Sequence, residues 1–164
     1  MSIESEDRSL KWIMIISFIG LIDAIYLSYL HHLVSAGEGC PTQDLPGLDC
    51  GVVLASDQAK LFGIPVAWLG VVGFLMLIGL SLDRYLNMDL ERTYYNKILL
   101  PITGIIGVVF GSYLTYAEAF IIHEWCPFCV VAFILTIAAT FFCITEYGHE
   151  IKELINKNGI EKET

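Results

Sequence analysis

The chain has 164 residues, 55% of them hydrophobic and 16% charged, with a formal net charge of −9. A soluble domain of this size cannot hide that much apolar surface, and so acidic a balance excludes a nucleic-acid partner. The mean hydropathy of +0.65 is concentrated in blocks, each long enough to cross the roughly 30 Å hydrocarbon core of a bilayer.

These blocks predict an all-α integral membrane protein, a single domain over 1–164 built as a four-helix transmembrane bundle. The first span is expected at about 12–33 and is interrupted by Asp23. An ionisable group at that depth is costly in lipid, so Asp23 is expected to face the bundle. An interhelical hydrogen bond is its plainer role and proton handling the functional one. The acidic start (Glu4, Glu6, Asp7), the length of the span and the want of a small-residue cleavage site set this helix apart from a removable signal peptide, and it is expected to stay.

An outer loop follows at 34–64, carrying Cys40 and Cys50 among Gly37, Gly39, Pro41, Pro46, Gly47 and Gly51. Such residues let a chain turn back on itself and bring two distant thiols together. The remaining spans are expected at about 61–82, 98–120 and 126–146, with a tail at 147–164 that holds Glu150, Glu153, Glu161 and Glu163. Gly70 and Gly73 in the second span, and Gly104, Gly107 and Gly111 in the third, imply close helix packing. Glu118, near the outer end of the third span, is expected to reach water.

Lysine and arginine set the orientation. Arg8, Lys11, Arg84, Arg92, Lys97, Lys152, Lys157 and Lys162 fall on one side of the four spans, and Lys60 alone on the other. By the positive-inside rule both termini are cytoplasmic, while the 34–64 loop and the 121–124 connection face the periplasm or the cell exterior across the inner (cell) membrane. Cys40, Cys50, Cys126 and Cys129 then lie on the outer side, where disulfides persist.

Cys126-Pro-Phe-Cys129 opens the fourth span. A helix start offers unpaired N–H groups whose dipole stabilises a sulfur anion, so Cys126 is the expected nucleophile. Pro127 suits a first helical turn, and Cys129, one turn on, can close the ring. The same spacing also serves zinc, and a structural disulfide is a further alternative. The nine-residue gap between Cys40 and Cys50 is unlike a zinc knuckle, and a bridge across one helical turn adds little loop-closure entropy and suits exchange better than stapling. Two outward dithiols therefore point to a thiol–disulfide relay.

Cys143 lies 17 residues beyond Cys126, about 25 Å deeper at the α-helical rise and out of disulfide reach. It is expected to be a packed or lipid-facing thiol. The chain has no phosphate-binding glycine loop, dinucleotide fingerprint, haem motif or iron–sulfur motif, so the electron acceptor is expected to be small and external, such as a lipid-soluble quinone. His31, His32 and His123 could buffer thiol protons. Trp68, Trp125, Tyr113 and Tyr116 could wall a quinone ring, interfacial anchoring being their plainer role.

Residues 12–146 resemble the vitamin K epoxide reductase family, and its bacterial and archaeal members in particular. The resemblance rests on the LIDAIYL run of Leu21–Leu27, on Cys40 and Cys50, on Ser56 six residues later, on Phe62-Gly-Ile-Pro65, and on Tyr113-Leu-Thr-Tyr116 leading to Trp125-Cys-Pro-Phe-Cys129. It implies a bundle around a quinone of the ubiquinone or menaquinone type, Cys126 and Cys129 as active-site pair, Cys50 and Cys40 as shuttle pair, and Ser56 on a short loop helix near the quinone. Cys129, Trp68, Phe133 and Tyr116 complete the expected quinone contacts.

The resemblance further implies that a thioredoxin-like, disulfide-introducing protein is oxidised, in support of disulfide-bond formation. Some members carry that partner fused after a fifth helix; this chain ends at Thr164, so the partner is expected in trans. Animal epoxide-reducing members have a tyrosine where Phe133 stands and a quinone-binding asparagine in the second span, which has none here between Leu61 and Leu82. These departures point to quinone rather than epoxide reduction. Within the relay, Cys40 is expected to meet the partner and Cys50 to meet Cys126, since Cys50 adjoins the segment leading back to the membrane. The alternatives are quinone or epoxide reduction fed by another thiol donor, and a metal-binding membrane protein that uses the cysteines as ligands.

Overall fold

The computed structural model describes residues 3–42, 47–61, 63–87 and 95–161, with side chains from Asp7 to Gly148. The elements are α1 (Ile3–Ser35), α2 (Cys50–Ala55), a 3-10 turn (Asp57–Ala59), β1 (Lys60–Leu61), β2 (Ile64–Pro65), α3 (Val66–Leu86), α4 (Asn96–Ala117), a π-helical turn (Glu118–Ile122) and α5 (Pro127–Glu161). Phe62, Pro46, Arg92, Lys162 and Glu163 lie outside the described residues, as do the side chains of Glu4, Glu6, Glu150, Lys152, Glu153, Lys157 and Glu161.

Among the described residues, four helices are long and apolar enough to cross a membrane: Asp7–Ser35, Val66–Leu86, Asn96–Ile122 and Pro127–Gly148. The shortest has 21 residues, about 32 Å at the α-helical rise, which matches the hydrocarbon core. α1 packs on α3 and α5, and α4 packs on α5 and α3, so the four close a ring. Large apolar side chains such as Phe18, Ile106, Val109 and Phe141 point away from it. That arrangement leaves a continuous apolar exterior, which lipid rather than water satisfies.

The spans differ from their expected bounds for local reasons. α1 and α5 run beyond 12–33 and 126–146, to Ile3–Ser35 and Pro127–Glu161, because no proline interrupts the polar sequence at those ends and Gly148 and Gly159 stay within the helix. The second span begins at Val66, not Leu61. Gly63 adopts φ +81° and Pro65 is the N-cap of α3, so Lys60–Leu61 and Ile64–Pro65 pair as a two-residue hairpin. Proline at 65 also disfavours helical dihedrals at Ile64. The third span keeps its α geometry only to Ala117 and then widens into the π turn. The expected outer loop is itself structured, holding α2, the 3-10 turn and the hairpin.

Two apolar clusters fill the bundle. One lies toward the chain termini and joins Leu10, Ile13, Phe74, Leu77, Leu100, Ala139, Cys143 and Tyr147. Cys143 is therefore a packed thiol. Polar ties close this end: Ser9 Oγ donates to Glu146 Oε2 at 2.8 Å, and Asn96 Nδ2 donates to Asp83 Oδ2 at 2.7 Å. Asp23 is half-buried, on the same α1 stripe as Trp12 and Tyr26, which meet Phe142 and Phe128 of α5. Its buried Oδ2 has no hydrogen-bond partner among the described residues, so that oxygen does not make the expected interhelical bond. The second cluster lies under the loop and is described below.

The glycines of α4 do pack closely. A Cβ at Gly104 would come within 2.6 Å of Thr140 Oγ1 and 3.1 Å of its Cβ, whereas one at Gly73 in α3 would meet nothing within 4 Å. Gly104→Ala is expected to cost about 1–3 kcal/mol through overpacking of α4 on α5. Gly73→Ala should leave stability within about 0.5 kcal/mol. Equilibrium unfolding of the two variants in detergent checks both outcomes.

Candidate functional site

The loop cysteines meet through local sequence chemistry. Asp49 precedes Cys-Gly-Val-Val-Leu and is the N-cap of α2, its Oδ1 accepting from Gly51 N at 2.8 Å and Val52 N at 3.1 Å. This satisfies two of the donors a helix start leaves open and sets Cys50 at the first position of the helix. Thr42 Oγ1 accepts from Cys50 N at 3.2 Å, drawing the Cys40 strand of the loop alongside. Cys40 and Cys50 form a disulfide with Cα atoms 6.1 Å apart. Gly51 leaves room for the cap, since a Cβ there would lie 3.0 Å from Asp49 Oδ1, while its 3.6 Å to Cys40 Cβ would be ordinary contact.

α2 is fastened to the bundle from below. The buried His31 of α1 hydrogen-bonds the Leu54 backbone. That bond gives His31 a structural duty, while His32 and His123 are exposed. Cys40, Cys50, Val53 and Leu54 then share a buried apolar cluster with Leu27, Leu30 and Cys126, against which Phe128, Cys129 and Ala132 pack.

The C-x-x-C segment takes the expected place at a helix start. Cys126 precedes the helix, its carbonyl accepting from Val130 N at 3.1 Å, and Pro127 is the first helical residue. Cys126 is completely buried and Cys129 partly so; both are free thiols. Trp125 N donates to Gly47 O at 3.3 Å, tying the approach to α5 to the cysteine loop at a glycine with φ +77°. The loop glycines thus do more than permit a turn, since one of them holds the two cysteine-bearing segments together.

Glu118 differs from its expected position. It is buried, only 3% exposed, and does not reach water. It opens the π turn Glu118–Ile122, which His123 closes at φ +61°, and it lies seven residues beyond Gly111 on the helix face that packs on α5. Its Oε2 accepts from Cys126 N at 3.2 Å, and its carboxylate also hydrogen-bonds with the Cys129 thiol. A visible signal was available: Glu118 interrupts a run that carries no other acid or base from Ile98 to Ile122, and it stands eight residues before Cys126. Asp49 likewise has the sequence form of an N-cap, an Asp directly before an apolar helical run.

The remaining candidates are dispersed. Ser56 ends α2 and donates from Oγ to Val53 O at 2.6 Å. Phe133 lies against Gly111 between α4 and α5. Trp68 and Tyr116 are exposed on the outer surface of the bundle, Tyr116 stacking on Phe120 with centroids 4.9 Å apart. With Cys40 and Cys50 joined, a four-thiolate zinc set cannot form in this state.

Comparison with known proteins bears on this arrangement. The sequence model of the vitamin K epoxide reductase family matches residues 11–144. The thiol-disulfide oxidoreductase LTO1 of Arabidopsis thaliana is 25% identical over 139 residues, covering 82% of this chain and 36% of that protein. The chain therefore spans about a third of the length of the curated relative it matches.

Asp49→Ala removes the N-cap of α2, which costs about 1 kcal/mol of local stability. Reduction of the Cys40–Cys50 bridge by dithiothreitol should then be about fivefold faster, the rate equivalent of that loss. Thiol-alkylation mass shifts sampled over time measure it.

Proposed function

The chain belongs to the vitamin K epoxide reductase family, and we propose that it is a membrane thiol–disulfide oxidoreductase that takes two electrons from a thioredoxin-like protein and delivers them to a quinone. The observation that carries this reading is the buried cluster in which the Cys40–Cys50 disulfide and the free thiol of Cys126 lie together, with Cys129 packed against it. One pair is oxidised and the other reduced, which is what a relay contains after the disulfide has passed to the loop.

Each transfer follows from the placement of the sulfurs. A partner thiolate attacks Cys40, whose residue is 7% exposed against none for Cys50, and Cys50 leaves. The partner's second thiol attacks the mixed disulfide, so the partner leaves oxidised and Cys40 is freed; Cys50 then attacks Cys126 in an oxidised Cys126–Cys129 pair, Cys129 leaves, and Cys40 attacks Cys50, re-forming the loop disulfide and releasing Cys126. The quinone is the oxidising substrate; on accepting two electrons and two protons from Cys126 and Cys129 it leaves as quinol. Cys129, one helical turn into the lipid-embedded part of α5, is the sulfur from which that transfer proceeds.

Ser56, Trp68, Phe133 and Tyr116 are proposed quinone contacts. The thioredoxin-like protein is proposed to act in trans. Both termini are assigned to the cytoplasm and all four relay cysteines to the outer side of the cell membrane, in accord with the lopsided lysine and arginine distribution. Phe133 lacks the hydroxyl that a tyrosine would offer, so quinone reduction is favoured over epoxide reduction.

Purified protein mixed with a reduced thioredoxin-like dithiol and a short-chain quinone should reduce the quinone, followed by the loss of its ultraviolet absorbance. Cys126→Ala and Cys129→Ala should each bring the rate down to that of the mixture without enzyme. Turnover surviving both substitutions would overturn the proposal.

A further inference from the structure

The exchange between the two cysteine pairs moves protons as well as electrons, and it does so in a place closed to water. Cys50 and Cys126 are each 0% exposed. When the disulfide passes from Cys126–Cys129 to Cys40–Cys50, one S–S bond breaks and another forms. Two electrons leave the loop pair for the helix pair, and two protons must follow. A sulfur that leaves without a proton donor keeps its charge in an apolar cluster, where an unpaired charge is costly.

Glu118 brings an ionisable group to that place. Glu118 is 3% exposed, although its neighbours on the same stretch, Tyr116 and Phe120, point outward at 57% and 67%. Helix spacing separates them, since residues two apart lie about 200° apart around a helix, and Glu118 falls seven residues beyond Gly111 on the α4 face that packs on α5. The carboxylate of Glu118 touches both residues of the C-x-x-C pair, through the Cys126 N–H at 3.2 Å and through the Cys129 thiol. A group needed only to satisfy the Cys126 N–H could be an uncharged amide or hydroxyl. A carboxyl group in contact with the reacting sulfur can in addition exchange a proton with it.

We propose that Glu118 is the proton carrier of the exchange between the two cysteine pairs. As the Cys126–Cys129 bond breaks under attack by Cys50, the electron pair goes to the Cys129 sulfur and Glu118, in its acid form, supplies the proton. Closure of Cys40–Cys50 then releases Cys126. Of the two protons given up by the loop thiols, one restores the Glu118 acid and the other goes to Cys126. The sum is one dithiol and one disulfide on each side, with no outside oxidant or reductant. In the reverse direction the Glu118 carboxylate takes the Cys129 proton.

This inference rests on the relay reading above, and the test separates the two. Glu118→Gln in the full chain keeps an oxygen to accept the Cys126 N–H but cannot carry the proton. In the coupled assay with a reduced thioredoxin-like dithiol and a short-chain quinone, kcat should fall about tenfold or more, in the range of a lost general acid. KM for the dithiol should be unaltered, because Cys40 and its surroundings are intact. Glu118→Asp and Glu118→Asn repeat the contrast one methylene shorter, and the carboxyl variant should be the faster of the two. Wild-type kcat in Glu118→Gln, or equal rates for the Asp and Asn variants, overturns the proton-carrier role while inactive Cys126→Ala and Cys129→Ala leave the relay standing. Activity surviving in those cysteine variants removes both.

Discussion

Everything in the cysteine-bearing half of this protein depends on holding two sulfur pairs from distant parts of the chain in one water-excluded cluster. Cys50 and Cys126 are 76 residues apart in the sequence, yet both are fully buried among Leu27, Leu30, Val53 and Leu54. Neither the loop nor the C-x-x-C segment could provide that alone. The apolar stripe of α1 supplies the floor, the His31 bond to Leu54 fastens α2 to it, and the bond from Trp125 N to Gly47 O draws the start of α5 to the loop. Each tie uses a backbone group that would otherwise be left open at a helix end or a turn.

The transmembrane bundle serves this arrangement by being rigid where the loop has to be movable. α4 and α5 approach closely at Gly104, Gly107 and Gly111, opposite Thr140, Thr136 and Phe133, so the helix that carries Cys126 and Cys129 is held by backbone proximity. The loop pair is held by a short cap, one threonine hydroxyl and the disulfide itself. In the proposed relay the loop pair visits both a partner and Cys126, which calls for the weaker set of restraints.

Much of this is legible in the residues. The four apolar blocks carry the fold because a bilayer demands about twenty apolar residues per crossing and leaves few other solutions. The loop composition around Cys40 and Cys50 carries their pairing, and Pro127 marks the start of α5. What sequence spacing missed depends on three-dimensional neighbours. Glu118 looks solvent-facing by its place near the end of the span, yet it stands seven residues beyond Gly111 on the α4 face that packs on α5, and its meeting with Cys126 N is set by the tertiary fold. The hairpin at Lys60–Leu61 and Ile64–Pro65 was hidden inside an apolar run. Its signals, Gly63 and Pro65, were present but outweighed by hydropathy.

The account stands or falls on direct exchange between the loop and the helix pair. Cys40→Ser with Cys129→Ser leaves Cys50 and Cys126 without their usual resolving partners. Mild oxidation of that double variant, followed by proteolysis and mass spectrometry without reduction, should yield a peptide joined through Cys50 and Cys126 as the main product. Recovery of both cysteines as separate alkylated thiols, with no such crosslink, would contradict the relay.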